Sequence, residues 1–370
     1  MKQKLDVAAY IWPAYSGKES RNHIFWTEKR GEWQTVRDAK PKFEGHQWPR
    51  KPLLGYQDEA DPKVMEEQIE LALSHGVNVF IYDWYWYDGR AFQEQCLNDG
   101  FLGASNSNKM KFYLMWANHD ANYVWDHRLS EDRKTVVWQG KVSREVFREI
   151  GLRWIEKYFC LENYYRVDGK PLFSIYDMTQ FINGLGGIDN AREEMLWLDG
   201  KAREKGLGGV HFQMIHQGFN RKINLSGVDT DSKISCDDVL KALPFSSYTH
   251  YQYCHFAHVD NDYPTVMKEV EAEWDRLTAL HKDAMFYPHI SLGWDNNPRY
   301  KELRPNILRE NTPENIEVAF RTAKAYAERI GAPMVTVNSW NEWTEGSYLL
   351  PDDLYGYGYL EAIKKVFGEA

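Results

Sequence analysis

The sequence predicts an α/β fold, a single (β/α)8 barrel of the TIM type with long loops at its C-terminal face, on three observations. Eight short β-rich segments recur along the 370 residues, and amphipathic segments separate most of them. No linker, low-complexity segment or repeat divides the chain, so residues 1–370 are expected to form one domain. The structural alternative, a doubly wound sheet, is disfavoured because the first turn reads IWPAYSG and not G-x-G-x-x-G.

The β-rich segments are short and dominated by branched and aromatic residues, as is typical of buried strands. They are LDVAAYIW (5–12), VNVFIYDW (77–84), KFYLMWAN (111–118), PLFSIYD (171–177), GVHFQMI (209–215), SSYTHYQY (246–253), AMFYPHISLGW (284–294) and PMVTVNSW (333–340). Strands that alternate with helices imply a parallel sheet, and closure of eight such strands gives the barrel.

The segments between the strands include five with helical character. Residues 61–76 are typical, because Asp61 can cap a helix, Pro62 suits its first turn and Gly76 suits its end. The other four are 143–159, 191–206, 265–281 and 313–331. Loop insertions are expected at about 17–60, 118–142 and 294–312. In a barrel, the loops that follow the strands meet at the C-terminal rim, where active sites lie.

The composition excludes several classes of protein. A net charge of −9 argues against nucleic-acid binding, which needs a concentrated basic surface. No apolar stretch approaches the ~18–20 residues that span a bilayer. The four cysteines are scattered, which predicts neither a zinc site nor a disulfide framework. The N-terminus lacks the pattern of a signal peptide, so we expect a cytoplasmic protein or an exported enzyme whose leader has been removed.

The aromatic content is unusual, with 15 Trp and 23 Tyr, many of them beside Asp, Asn, His or Glu. Rings interleaved with polar groups suit a sugar, whose C–H faces stack on rings while its hydroxyls need hydrogen-bond partners. The alternative is a large core rich in Trp and Tyr. The composition therefore favours a carbohydrate partner without requiring one.

Polar and aromatic residues recur at the predicted C-terminal ends of successive strands, and we predict that they contact substrate. They are Trp12, Tyr15, Asp83, Trp84, Trp116, Asn118, His119, Tyr176, Tyr251, Trp294, Asp295, Asn341 and Trp343. For Asp83, acceptance of loop amide hydrogens is an equal alternative to binding a sugar hydroxyl. Repetition of such groups at one end of the barrel is the arrangement that a sugar-binding rim requires.

The segment NSWNEWTEG (338–346) supplies the predicted catalytic residues, Glu342 and Glu345. Cleavage of a glycosidic bond commonly uses two carboxyl groups, one of which protonates the leaving oxygen. Residues three apart in a continuous strand point to opposite faces, so the chain must bend after Glu342, and Gly346 suits that bend. The alternative is two surface glutamates on a loop, which the position at the end of the last strand disfavours.

Other residues of the rim loops admit two interpretations. Trp340 and Trp343 beside the glutamates can desolvate one carboxyl group and raise its pKa. His119 and Asp120 resemble a metal pair, but no further ligand lies at a suitable spacing, so hydroxyl recognition is favoured and no metal or cofactor is predicted. The segment GWDNNPR (293–299) either braces its loop or binds substrate.

Four segments resemble the WbsX-like family, which is similar to glycoside hydrolase family 99. They are the segment 43–89, MWANHD (115–120), GWDNNPR (293–299) and NSWNEWTEGSYLLPDDLYGYGYLEAI (338–363). The resemblance runs from Tyr10 to Ile363 and implies a (β/α)8 barrel. It also implies that Glu342 assists the substrate 2-hydroxyl as it attacks the anomeric carbon, giving a 1,2-anhydro sugar. Glu345 would then act as general acid and later as base, in a retaining reaction.

The function predicted is therefore a retaining glycoside hydrolase that acts on a poly- or oligosaccharide. One alternative is a glycosyltransferase of polysaccharide biosynthesis, a label that WbsX-like proteins often bear. Such enzymes usually carry an Asp-x-Asp motif or a nucleotide-binding half, and the only such triplet here is DTD (229–231), in a predicted loop. A second alternative is a carbohydrate-binding barrel without catalytic activity.

Overall fold

A computed structural model describes residues 5–130, 135–218, 222–224 and 233–368, and the DTD triplet at 229–231 lies outside these. At its centre are nine mutually parallel strands. They are β1 (Asp6–Ile11), β2 (Val79–Tyr87), β3 (Lys111–Trp116), β4 (Lys170–Ile175), β5 (His211–Ile215), β6 (Ser247–Thr249), β7 (Met285–Phe286), β8 (His289–Ser291) and β9 (Met334–Asn338). Each lies within one of the segments predicted from the sequence, apart from one-residue and three-residue extensions of β4 and β2.

The strands follow the order β7–β6–β5–β4–β3–β2–β1–β9–β8. Only Tyr287 and Pro288 separate β7 from β8 along the chain. The Tyr287 N–H donates to the Tyr248 carbonyl (2.9 Å), and the Pro288 carbonyl accepts from the Thr336 N–H (2.9 Å). β7 and β8 therefore fill one strand position, which pairs with β6 on one side and β9 on the other. The sheet thus has eight positions, and the predicted (β/α)8 fold class is confirmed.

Helices cover the outside of the strands. The α-helices are Trp33–Arg37, Pro62–Ser74, Arg144–Trp154, Met178–Leu185, Ile188–Glu204, Cys236–Ala242, Tyr263–Leu280, Pro313–Ile330 and Gly358–Phe367. All five predicted helices are present, and the Asp61 side chain caps the second of those named, as expected. After β2 the helix position is taken by a short π-helix, Cys96–Phe101. No helix in the described ranges is long and apolar enough to cross a membrane.

Shorter elements decorate the loops. The additional strands are Arg90–Phe92, Ala121–Asn122, Val136–Trp138, Arg166–Val167, Lys222–Asn224, Lys233–Ser235, Asn341–Glu342 and Ser347–Tyr348. The 3-10 helices are Ser20–Ile24, Ser107–Lys109, Tyr123–Trp125, Tyr253–His255, Asn297–Arg299 and Trp343–Glu345, and a second π-helix is Ile155–Phe159. The cysteines at 96, 160, 236 and 254 are free thiols.

A polar layer crosses the barrel interior beneath the rim. The Thr249 and Thr336 hydroxyls are 2.8 Å apart, and the His289 ring bonds to Thr336 (2.9 Å) and to Ser291 (3.0 Å). Burial lowers the pKa of His289 to about 3, so this ring is neutral and each of its nitrogens has a partner. The side chains of this layer therefore form hydrogen bonds with one another, and the layer lies as a rigid base beneath the rim.

The side chain of Asn341 joins the ends of the first and last strands to a rim loop. Its Oδ1 accepts from the Trp12 N–H (2.8 Å), while its Nδ2 donates to the Trp12 carbonyl (2.9 Å) and to Glu59 Oε2 (2.8 Å). Glu59 is buried, and that burial raises its pKa to about 8. At neutral pH the folded protein therefore holds Glu59 largely as the neutral acid.

This shift predicts a pH-dependent stability. Because the folded pKa of Glu59 exceeds the unfolded value of 4.5, between these values the folded state binds a proton that the unfolded state has lost. Stability should therefore fall as pH rises through this window, by on the order of 5 kcal/mol. Denaturant titrations at about pH 5 and about pH 9 measure this decrease in the free energy of unfolding, and the Glu59→Gln variant should not show it. The exposed Glu67→Gln should keep it, and equal pH profiles for the two variants would refute the assignment.

Candidate functional site

A cavity of about 370 Å³ opens where the carboxyl ends of the strands meet. Its lining residues follow or end every strand position of the barrel, and most are aromatic or polar. They are Trp12, Asp83, Tyr85, Met115, Ala117, His119, Asp120, Asn122, Val124, Trp125, Tyr176, Asp177, Gln180, Gln217, Tyr251, His255, Arg299, Glu342 and Glu345. This is the rim at which barrel enzymes place their chemistry.

The two predicted catalytic glutamates reach this cavity through a tight hairpin. Glu342 ends a two-residue strand, Trp343–Glu345 forms one 3-10 turn, and Gly346 reverses the chain with a φ of 64°. That backbone conformation is left-handed and favours glycine. The Ser339 hydroxyl accepts from the Glu342 N–H (2.8 Å) and fixes the start of the bend. The expected bend is present and turns both carboxyl groups to one side.

Arg299 joins the carboxyl groups of the site. Its Nη1 donates to Glu345 Oε1 at 2.7 Å, and its Nη2 lies 3.4 Å from both Glu342 Oε2 and Glu32 Oε1. Its Nε donates to the Thr344 hydroxyl (2.7 Å). One buried guanidinium therefore faces two buried carboxyl groups, of Glu32 and Glu342, and the half-buried carboxyl group of Glu345, which fixes the position of each.

Glu32 is the member of this cluster that the sequence did not predict. Its Oε2 accepts from the Trp12 indole N–H (2.7 Å) and the Tyr15 hydroxyl (3.1 Å), and its Oε1 accepts from Thr344 (2.9 Å). The residue comes from the long loop after β1, where a single glutamate in GEW carries no motif. Because fixed donors occupy its oxygens, Glu32 orients Arg299 and Trp12 from behind the cavity wall.

Tyr251 links Glu342 to one further carboxyl group, that of Asp83. Its hydroxyl lies 3.0 Å from Asp83 Oδ2 and 2.8 Å from Glu342 Oε1. A phenol has one hydrogen, so it donates to only one of these oxygens. The second contact is a hydrogen bond only when that carboxyl group is protonated and donates to the phenol oxygen. The geometry is therefore suited to a carboxyl group that keeps its proton.

The pKa values point the same way. Burial, followed by the charge of Glu345, raises the pKa of Glu342 well above its ordinary range. Burial also raises the pKa of Glu345, although the adjacent Arg299 opposes the rise. Burial raises the pKa of Asp83 in the same way, against the hydrogen bond from Tyr251. The pKa of Glu342 is therefore raised further than that of Glu345, because Arg299 is closer to Glu345 and stabilises its charged form.

Seven of the fifteen predicted site residues line the cavity. They are Trp12, Asp83, His119, Tyr176, Tyr251, Glu342 and Glu345. The other eight lie outside the lining, and they are Tyr15, Trp84, Trp116, Asn118, Trp294, Asp295, Asn341 and Trp343. For most of these eight the structure shows another role.

Trp84 and Trp116 face the helices. Both pack on Trp154 of the helix after β3, with ring centroids 5.2 and 5.4 Å away. Successive side chains of a strand point to opposite faces. Because Asp83 and Met115 face the cavity, their neighbours Trp84 and Trp116 must point outward.

Asp295 resolves the two interpretations of the GWDNNPR segment. Its carboxylate accepts from the Trp48 indole (2.7 Å) and the Asn297 amide (2.7 Å), so these residues brace the loop. Trp294 is half-buried and lies outside the cavity lining. Arg299, two residues beyond Asn297, instead reaches the carboxyl cluster.

Three other predicted contacts stabilise the rim from behind. The Asn118 side chain exchanges hydrogen bonds with the Asp177 backbone (2.7 and 2.8 Å), and Asn341 holds the chain at Trp12. Trp343 stacks on Tyr348, with ring centroids 4.0 Å apart. The sequence suggested that Trp343 and its neighbour Trp340 would lie against the glutamates in the cavity. Neither residue lines the cavity.

Some of the aromatic residues that line the cavity were not predicted from the sequence. Tyr85 lies two residues after Asp83 in β2, so the two-residue period of a strand would have placed it on the same face. Trp125 comes from a loop, where no period applies, and it packs on Trp12 at 5.3 Å. His255 and Gln217 also follow strands without a distinguishing motif.

One group of side chains in the described ranges has metal-ligand types in reach of one another: His216, Asp237 and His281, whose ligand atoms lie within 4.8 Å. Both imidazoles contact Asp237 Oδ1 (3.0 and 2.9 Å), and Arg276 Nη1 donates to its Oδ2 (2.9 Å). A guanidinium on the same carboxylate disfavours a cation there. The cluster is a hydrogen-bonded brace on the outside of the barrel.

The fold and cavity together define a (β/α)8-barrel protein with a buried, ring-lined carboxyl site. Residues 7–363 match the family model described as "Glycosyltransferase WbsX", and the chain belongs to that family. The resemblance found in the sequence is thereby confirmed. The protein WxcX of Xanthomonas campestris pv. campestris is 28% identical over 358 residues, which cover 94% of this chain and 48% of WxcX. The chain thus spans about half the length of the curated relatives it matches.

Solved structures with the same architecture include glycosidases. The GH99 endo-α-mannosidase from Bacteroides thetaiotaomicron has a TM-score of 0.61 and 14% identity, over 98% of this chain and 96% of that one. A "Glycoside hydrolase-like protein" has a TM-score of 0.60 and 16% identity, over 100% and 95%. These likenesses establish the barrel fold.

The role of Arg299 can be tested through stability. Arg299→Gln leaves buried carboxylates without their cation, a change that typically costs about 3–5 kcal/mol. The loss should shrink as pH falls, because protonation of the carboxyl groups relieves their repulsion. Denaturant unfolding at about pH 7.5 and about pH 4.5 measures this difference.

Arg299→Lys is the matched control, since it keeps the charge and gives up only the forked geometry. It should recover part of the stability at the higher pH. An Arg299→Gln variant that is as stable as the parent at the higher pH would contradict the proposed cluster.

Proposed function

We propose that this protein is a retaining glycoside hydrolase acting on an oligo- or polysaccharide, with Glu342 and Glu345 as its catalytic carboxyl groups. The observation that carries this proposal is the placement of both groups in one ring-lined cavity, joined by Arg299. Glycoside cleavage needs a proton donor and a group that promotes attack at the anomeric carbon. A pair of buried carboxyl groups with raised pKa values meets both needs.

The proposed reaction follows the roles that family resemblance assigns. Glu342 removes the proton of the substrate 2-hydroxyl, whose oxygen attacks the anomeric carbon and forms a 1,2-anhydro ring. The bond to the leaving oxygen breaks as Glu345 delivers its proton to that oxygen. Water then attacks the anomeric carbon and gives a proton to Glu345, while the 2-oxygen recovers its proton from Glu342. Two displacements at one carbon retain its configuration.

Substrate binding must redistribute the proton of the pair. In the empty cavity Arg299 favours a charged Glu345, whereas the first step needs Glu345 protonated. A 2-hydroxyl that donates to Glu342 favours the charged form of Glu342 and lowers its pKa. The repulsion between the two groups then moves the shared proton to Glu345, next to the leaving oxygen. The pair is thereby set for reaction only when sugar is bound.

The remaining cavity wall supports sugar recognition. Trp12, Tyr85 and Trp125 supply ring faces for the C–H surfaces of a sugar. Burial lowers the pKa of His119, so its imidazole is neutral and available to hydroxyl groups. Asp83 Oδ1 is buried and has no hydrogen-bond partner in the described part of the chain, which leaves it for a substrate hydroxyl.

The family description favours a second candidate, transfer of the sugar to another sugar. The same 1,2-anhydro intermediate serves both reactions, since an acceptor hydroxyl can replace water in the second displacement. Products from an oligosaccharide incubated with and without a monosaccharide acceptor distinguish them, because transfer yields a longer chain. Stabilisation by a nucleoside diphosphate in a thermal-shift titration would instead favour a nucleotide-sugar donor.

The two glutamates should respond differently to the leaving group. Glu342→Gln and Glu345→Gln should each lower turnover of an unactivated glycan by ~10²–10⁴-fold. On an aryl glycoside with a good leaving group, Glu345→Gln should retain far more of the bond-cleavage step, since departure no longer needs an acid. Glu342→Gln should lose activity on both substrates. Steady-state and burst kinetics measure the difference.

Glu32→Gln is the matched control, because it alters a carboxyl group bound to Arg299 that does not line the cavity. It should lose much less activity than either catalytic variant. If Glu345→Gln cleaves the unactivated glycan at the parent rate, the assignment of roles is wrong. If Glu32→Gln matches both losses, charge balance around Arg299 explains them better than proton transfer.

A further inference from the structure

A second cavity of about 690 Å³ lies in the rim loops. Basic side chains dominate its lining, although the whole chain has a net charge of −9. The lining residues are Arg37, Asp38, Ala39, Lys40, Lys42, Arg128, Pro298, Tyr300 and Lys301. Five are basic and one is acidic, so the cavity reverses the charge of the protein that surrounds it.

The acidic groups nearby neutralise only part of this charge. Arg37 pairs with Glu28 (2.6 Å) and Asp38 (2.9 Å), and Arg128 pairs with Asp126 (2.6 Å). Among the described residues, no carboxylate lies within 4 Å of the ammonium groups of Lys40, Lys42 and Lys301, although the charges of Glu302 and Asp295 act on Lys42. The lining therefore keeps an excess of positive charge that a ligand can meet.

Lys42 is the most constrained of the three. Its Nζ donates to the carbonyls of Tyr300 (2.6 Å) and Lys301 (2.8 Å), which holds the ammonium group at the cavity wall. Partial burial, and then the charge of Arg128, lower the pKa of Lys42. An anion in the cavity would oppose both effects, because it adds negative charge beyond that of Glu302 and Asp295, which already act on Lys42.

The basic cavity and the carboxyl cavity are lined by neighbouring residues of the same rim loops. Arg299 lines the carboxyl cavity, while its neighbours Pro298 and Tyr300 line the basic one. Trp125 and Arg128, three residues apart in another rim loop, are divided in the same way. The same two rim loops therefore contribute lining residues to both cavities.

We propose that the basic cavity binds an anionic substituent, a carboxylate or phosphate group, of the glycan whose bond lies in the carboxyl cavity. This inference rests on the proposed function for the identity of the polymer, and it makes the substrate an acidic glycan. Elsewhere the negative protein repels such a chain, so the cavity also sets which way the chain lies.

The test measures binding in the Glu345→Gln background, so turnover does not enter the result. Isothermal titration compares an oligogalacturonate with a neutral oligogalactose of equal length. The acidic probe should bind more tightly, and its affinity should fall as salt is added. Lys40→Glu with Lys301→Glu should weaken the acidic probe by about tenfold and leave the neutral probe unchanged.

Lys241→Glu with Lys282→Glu is the matched control, because these exposed lysines line neither cavity and change the net charge equally. It should bind the acidic probe as the parent does. If inorganic phosphate binds to the parent protein but not to the Lys40/Lys301 variant, phosphate is the anion that the cavity recognises. Equal binding of acidic and neutral probes, equal losses in both double variants, or binding of neither anion would overturn the proposal.

Discussion

One guanidinium group, that of Arg299, holds three rim loops together. Arg299, from the loop after β8, contacts Glu32 from the loop after β1 and both glutamates of the hairpin after β9. Burial of several carboxyl groups together is costly unless a cation and hydrogen bonds compensate for it. The Trp12 indole, the Tyr15 hydroxyl and the Thr344 hydroxyl complete that compensation. The positions of Glu32, Glu342 and Glu345 relative to one another therefore depend on Arg299.

The cluster also decides how many protons the cavity keeps. Arg299 lies closer to Glu345 than to Glu342, and Tyr251 has one hydrogen for two carboxyl groups. Burial raises the pKa of both glutamates and of Asp83. The outcome is a pair of glutamates that retains a proton where ordinary surface carboxyl groups have lost theirs, and the proposed reaction needs that proton to move from Glu342 to Glu345 when substrate binds.

The sequence was sufficient for the barrel and for the glutamate pair, because both leave local signals. Eight apolar segments are visible without any knowledge of the fold, and Gly346 marks the bend that brings Glu342 and Glu345 together. The sequence analysis did not establish which side of the sheet each side chain at a strand end points to. Trp84 follows Asp83 directly, and only the alternation of a strand separates a ring against a helix from a carboxyl group in the cavity.

The contact of Glu32 with Arg299 could not be predicted for a different reason. The two residues are far apart in the sequence, and both come from loops that have no period. Their contact follows from barrel closure, which brings the loops after β1 and β8 to the same sector of the rim. A contact of this kind depends on the tertiary structure, and patterns in a single sequence do not reveal it.

Direct observation of the shared proton tests the account most directly. Carbon-13 NMR of glutamate carboxyl groups, titrated in the ligand-free protein and assigned with the Glu342 and Glu345 variants, reports the charge of each group. We predict that Glu342 keeps its proton well above the ordinary glutamate pKa of 4.5 while Glu345, beside Arg299, loses its proton first. Two glutamates that titrate together near 4.5 would contradict the account.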